Sequence, residues 1–119
     1  MNLSFLFRAA YASIMLLALC GVATSRGTAG AAQANGKDYK VAIQNFAFEP
    51  KTITVPVGAR VVWTNRDEEP HVVTSAGSLF VSSKALDTSD SYTVTFSKPG
   101  TYAYYCSIHP MMVGTVIVQ

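Results

Sequence analysis

From residue 39 to the end, short runs of β-branched and aromatic residues alternate with turn residues, and no stretch keeps a helical period. Residues 39–44 and 51–55 alternate, and 60–64 continue the pattern. Residues 91–96 set Thr93 and Thr95 on one face and Tyr92, Val94 and Phe96 on the other; 101–105 and 114–118 complete the set. Pro56-Val57-Gly58, residues 65–70 and Lys98-Pro99-Gly100 punctuate these runs with residues that favour turns. A chain written this way buries one face of each strand and turns back often. The expectation is an antiparallel β-sandwich of about seven or eight strands. Residues 75–90 are the least regular and read as a loop with at most one short edge strand. Trp63, Tyr92, Val94 and Phe96 are the predicted core, and the acidic stretch Asp67-Glu68-Glu69 reads as a solvated turn, or else as a docking patch for a basic partner.

The first third of the chain is written differently. Arg8 is its early positive charge, residues 9–23 are almost wholly apolar, and residues 24–34 are small and polar. That order describes a secretory signal peptide spanning 1–34, with Ala32-Gln33-Ala34 before a mature start at Asn35. The apolar run falls short of the roughly 20 residues a membrane-spanning helix needs, so a retained anchor is disfavoured. Leu17-Ala18-Leu19-Cys20 resembles a lipoprotein processing site but has Leu where a small residue normally precedes the Cys, and ranks second. The formal net charge of +2 comes from Arg8 and Arg26. Removing the leader therefore leaves a neutral domain, 35–119, with no electrostatic case for nucleic-acid binding. It also leaves Cys106 alone, unable to form an internal disulfide in an exported protein.

That domain holds His71, His109, Cys106 and two methionines. Three ligand types sit together in Cys106-Ser107-Ile108-His109-Pro110-Met111-Met112, and His71 follows the charged turn upstream. Loops of a sandwich gather at its two ends, so both segments can reach one pole. A thiolate, two imidazoles and a thioether form the donor set of a trigonal His₂Cys copper site with a weak axial Met. Soft sulfur suits Cu(I), imidazole suits both oxidation states, and no position is left open for a substrate. Taken singly, each residue has a structural reading: a buried thiol, a surface imidazole, two core plugs. Their conjunction in two loops of one fold favours the metal.

The motifs resemble the cupredoxins, over almost all of residues 39–119. The first is Phe48-x-Pro50-x-x-Ile53-x-Val55-x-x-Gly58-x-x-Val61-x-Trp63-x-Asn65, followed by Pro70-His71 and Val73. The second is Gly100-Thr101-Tyr102, Tyr104, Cys106-x-x-His109-x-x-Met112 and Gly114. Two residues between His109 and Met112 make a short closing loop like that of the amicyanins; plastocyanins and pseudoazurins have longer ones. The resemblance implies an all-β, eight-stranded Greek-key sandwich. It places His71 on the loop after a central strand and the other ligands between the last two strands. Copper would be held by His71, Cys106, His109 and Met112. One position departs from the pattern: many members place Asn or Ser directly after the first His, whereas here Val72 leaves only its backbone N–H to reach the Cys106 sulfur.

The implied function is an exported electron carrier in the periplasm or its equivalent. It would cycle one type 1 copper between Cu(II) and Cu(I) and meet a redox donor and an acceptor transiently. The reading includes a monomer whose mature domain is not transmembrane and binds no nucleic acid. It is not read as an enzyme, because copper enzymes with a second metal site need further histidines and this chain has two in all. A periplasmic copper carrier or storage protein is the alternative.

Overall fold

The computed structural model describes residues 36–119, and the leader read at 1–34 lies outside them. Eight strands follow in order: β1 Asp38–Gln44, β2 Ala47–Glu49, β3 Thr52–Val55, β4 Ala59–Asn65, β5 Thr74–Ser75, β6 Ser91–Phe96, β7 Gly100–Tyr105 and β8 Val113–Val118. They form two four-stranded sheets, ordered β2-β1-β4-β6 and β3-β8-β7-β5. The all-β, eight-stranded sandwich is as expected.

The purely antiparallel expectation is corrected. β1 runs parallel to β4, with Val41 opposite Trp63, and β3 runs parallel to β8, with Val55 opposite Val118. The cause is β2 and β3 between them. β2 turns back antiparallel on β1, β3 enters the other sheet, and the chain returns as β4 on the far side of β1. The remaining pairs, β4–β6, β7–β8 and β5–β7, are antiparallel. The short edge strand expected within residues 75–90 lies at their start instead: β5 pairs with β7 and ends at Ser75, and a 3-10 turn, Ala76–Ser78, follows it.

Period-two alternation decides which side chains meet between the sheets. In β4 the inward row is Ala59, Val61, Trp63 and Asn65, each fully buried. Burying a valine of this kind stabilises by roughly 1.5–3 kcal/mol. Trp63 is the centre of the core, with Tyr104 edge-on at 5.3 Å and Phe80 stacked at 6.2 Å. Phe96 is buried as expected, while Tyr92 and Val94 are only half-buried against the cluster. Burial pushes the Tyr104 phenol up to about 12, and the Trp63 N–H offsets only part of that. Neither group makes a hydrogen bond of normal geometry.

The inward row of β4 ends on a polar residue, and that residue begins the functional pole. Asn65 Nδ2 donates to the carbonyls of Glu69 (2.8 Å) and Leu86 (2.9 Å), and its Oδ1 accepts from Asp67 N–H at 2.9 Å. A buried amide with that many partners costs little to bury and fixes the loop leaving the strand.

Candidate metal centre

His71 lies just beyond that loop, in an extended segment bridged to Leu86. Its N–H donates to the Leu86 carbonyl at 3.1 Å, and Leu86 N–H returns the bond at 2.7 Å. The side chain is 0% exposed. Cys106 follows directly on β7 and is also fully buried. From there the chain closes a tight double turn. His109 N–H donates to the Cys106 carbonyl (3.2 Å), Met112 N–H to the His109 carbonyl (2.9 Å), and Cys106 N–H to the Met112 carbonyl (3.0 Å). These bonds account for the short spacing: two residues are enough between His109 and Met112 because each turn closes on the next.

The sequence-predicted donors converge. Cys106 Sγ lies 3.8 Å from His71 Nδ1 and 3.7 Å from His109 Nδ1, and the two Nδ1 atoms are 3.2 Å apart. All three donor atoms lie within 4.8 Å of one another. Met112 is 2% exposed at the end of the same turn, whereas Met111 is 80% exposed. Val72 N–H donates to Cys106 Sγ at 3.3 Å, the bond that remains without a side-chain tie at that position. It ties the His71 segment to the Cys106 turn and fixes the direction of the sulfur.

Two neighbours of the cluster were not legible as site residues. Asp67, read as part of a solvated turn, is not solvated; that reading holds only for Glu68 and Glu69, which are exposed. The Asp67 side chain is 10% exposed, and its carboxylate accepts from Asn45 N–H (2.7 Å), Phe46 N–H (2.9 Å) and His71 Nε2 (2.9 Å). Burial alone would raise its pKa, but the Phe46 and Asn45 N–H donors and the His71 ring outweigh it and hold the carboxyl below its ordinary 3.8. Phe46 stands edge-on to both imidazoles, 5.3 Å from His71 and 5.0 Å from His109 between ring centroids. The turn residue Asn45 was the only local signal of this arrangement. The contacts span 21 and 22 residues and leave no mark in a local pattern.

The chemistry of the donors decides what fits. Two imidazole nitrogens 3.2 Å apart beside a buried sulfur can share only one proton between them, which leaves lone pairs directed at a common point. A cation between them turns their lone pairs into bonds. One sulfur and two nitrogens, with a buried methionine on the same turn, suit copper in either oxidation state. A β-sandwich that gathers a Cys and two His at one pole defines a single-site copper protein.

The comparisons agree. A sequence model described as Cupredoxin-like domain matches residues 10–118, and the chain belongs to that family. It is 34% identical to the amicyanin of Paracoccus denitrificans over 83 residues, 66% of this chain and 63% of that protein. It thus spans somewhat less than two thirds of that relative. The chloroplastic plastocyanin of Tetradesmus obliquus is 35% identical over 92% of this chain and 86% of its own. Among solved structures, a purple cupredoxin from Nitrosopumilus maritimus superposes with a TM-score of 0.64 at 33% identity, covering 69% of this chain and 100% of that one.

Proposed function

We propose that the protein is an exported electron carrier that holds one copper through His71, Cys106, His109 and Met112 and cycles it between Cu(II) and Cu(I). The carrying observation is the convergence of three buried or half-buried donors on one point, with the buried Met112 at the end of the same turn as the fourth donor in place of an open position. Bond-making chemistry at a metal needs such a position; moving an electron does not. A site held by loops pinned through backbone bonds also changes little between oxidation states, which keeps reorganisation small.

The electron's route follows from exposure. His71 and Cys106 are sealed in, while His109 is half-buried and its loop carries exposed Ile108, Pro110 and Met111. With Pro70 they make a small apolar rim suited to brief contact with a donor and an acceptor protein. The carrier acts as a monomer. Paired voltammetry tests both function and ligands. The wild type gives a reversible one-electron wave and keeps its copper through repeated cycles; loss of copper on reduction would favour a storage or delivery protein. Met112→Gln moves the potential downward, because a harder oxygen donor favours Cu(II), and Met111→Gln moves it little. The reverse pattern would reassign the axial ligand.

We also propose that the leader is removed near Asn35 and that the protein works in the periplasm or an equivalent compartment. Among the described residues no helix is long and apolar enough to cross a membrane. An intact mass beginning at or near Asn35 is expected. A lipidated Cys20 or a retained leader would show a tethered protein instead.

A further inference from the structure

We propose that Asp67 is a positioning residue of the metal centre, its single carboxylate holding both the His71 ring and a Phe46 cover over the two imidazoles. The inference rests on the copper reading above and adds a tuning and closing device to it.

His71 turns Nδ1 toward Cys106 and His109. A metal there needs that lone pair, so the ring proton sits on Nε2, which points at Asp67 Oδ2 from 2.9 Å. The carboxylate thereby fixes tautomer and ring orientation together. It is itself held at both ends of its residue. Asp67 N–H donates to Asn65 Oδ1 at 2.9 Å, and the Asp67 carbonyl accepts from Thr88 Oγ1 at 2.8 Å. With 10% side-chain exposure on one partner and none on the other, this pair is shielded from the screening that makes surface ion pairs weak.

The same carboxylate holds the turn between β1 and β2. Asn45 and Phe46 have φ of 53° and 56°, the left-handed region that a bulky side chain such as Phe rarely occupies. Two such residues in succession need an outside restraint, and their N–H groups both end on Asp67. That backbone geometry sets the Phe46 ring across the edges of His71 and His109 at 82° and 87°, while the residue remains 44% exposed on its outer side. Phe46 stands between solvent and the imidazoles, and Asp67 is the reason it stands there.

Two consequences separate this role from a merely structural one. A carboxylate on Nε2–H strengthens the His71 nitrogen as a donor and favours Cu(II). Asp67→Asn keeps a side chain of the same shape but removes the charge, so the potential rises. A tenfold loss of preference for Cu(II) over Cu(I), at the low end of what groups behind a ligand histidine contribute, reads as about 59 mV. Phe46→Ala leaves the Asp67–His71 bond in place, so it opens the site to azide without that rise.

The test uses the copper-loaded protein for voltammetry and azide titration of the visible spectrum. The metal-free protein is used for NMR of the His71 Nε2–H. The expected result is a raised potential and faster exchange of that proton in Asp67→Asn. Partial recovery of both in Asp67→Glu and azide sensitivity in Phe46→Ala complete it. A lowered melting temperature in Asp67→Asn with unchanged potential and proton exchange would overturn the proposal and leave a simple turn anchor. If Asp67→Asn does not fold, Asp67→Ser, which also removes the charge, and Phe46→Ala decide: unaltered potential in the first and unaltered azide response in the second refute it. A wild type that never develops the visible band refutes the copper reading itself, and the metal-free NMR then still reports whether Asp67 holds His71.

Discussion

Cys106→Ser abolishes the intense visible absorption of the copper-loaded protein while copper remains bound, more weakly, through His71 and His109. The band is a charge transfer from thiolate to Cu(II), and Cys106 is the only cysteine among the described residues. Serine offers a neutral, harder oxygen at neutral pH, which neither transfers charge in the visible nor suits Cu(I). The two imidazoles still face each other across 3.2 Å, enough to retain Cu(II) as a pale, ordinary complex. Unfolding is not the expected cause of the loss. A buried hydroxyl left without a partner costs about 1–3 kcal/mol, against roughly 5–15 kcal/mol of total stability, and Val72 N–H remains available to it. Cu(II) titration followed by absorbance, with circular dichroism on the same samples, separates the cases. A variant that stays coloured would remove Cys106 from the ligand set. A wild type that stays colourless with stoichiometric Cu(II) would sink the type 1 assignment.

The donors of this site were legible because their chemistry is rare and their loops are forced together. Cys106, His109 and Met112 share one turn, and any sandwich of this kind gathers loops at its ends. His71 needed only the end of β4 to bring it to the same pole. What surrounds the donors was not legible, for the opposite reason. Asp67 sits in a run of acids that looks like solvent-facing charge, and its role comes from Asn45 and Phe46, which reach it through tertiary structure.

The fold divides in the same way. The long strands β1, β4, β6, β7 and β8 show period-two alternation and were readable within a residue or so at each end. β2 has three residues and β5 two, too few to alternate, and both are strands because a neighbour supplies their ladder bonds. Parallel pairing left no local trace either, since direction depends on where the connections run. The buried Asn65 shows a third kind of silence: a polar residue on an inward row looks like a strand end, and is one, but its place as the hinge of the site depends on carbonyls at Glu69 and Leu86.

Gly114→Ala is expected to cost about 3 kcal/mol, the upper part of the overpacking range, and to disturb the copper site from a distance. Gly114 is buried in β8 directly opposite Tyr104 of β7. A Cβ at that position falls under 3.0 Å from three atoms at the far end of the Tyr104 ring, closer than real Cβ atoms come. The far end of a side chain can often swing away, but this one cannot. Tyr104 is 2% exposed, with Phe48 edge-on at 4.7 Å and Trp63 at 5.3 Å, so relief requires moving the aromatic centre of the core or parting two paired strands. Either response reaches the metal, because Tyr104 lies two residues before Cys106 and Gly114 two residues after Met112. For a domain of this size roughly 3 kcal/mol corresponds to a melting temperature lowered by about 12–24 °C. Thermal unfolding of the metal-free protein measures the packing cost, and the position and width of the visible band after copper addition measure its spread to the ligands. Tyr104→Leu in the same chain should recover part of the loss specific to Gly114→Ala, since the branched side chain withdraws the atoms in conflict. An alanine variant that melts within about 2 °C of the wild type, well under the shift expected from 1 kcal/mol, would mean that the ring yields freely. The tight pairing of Gly114 with Tyr104 would then not be what holds in register the two strands that flank the ligand turn.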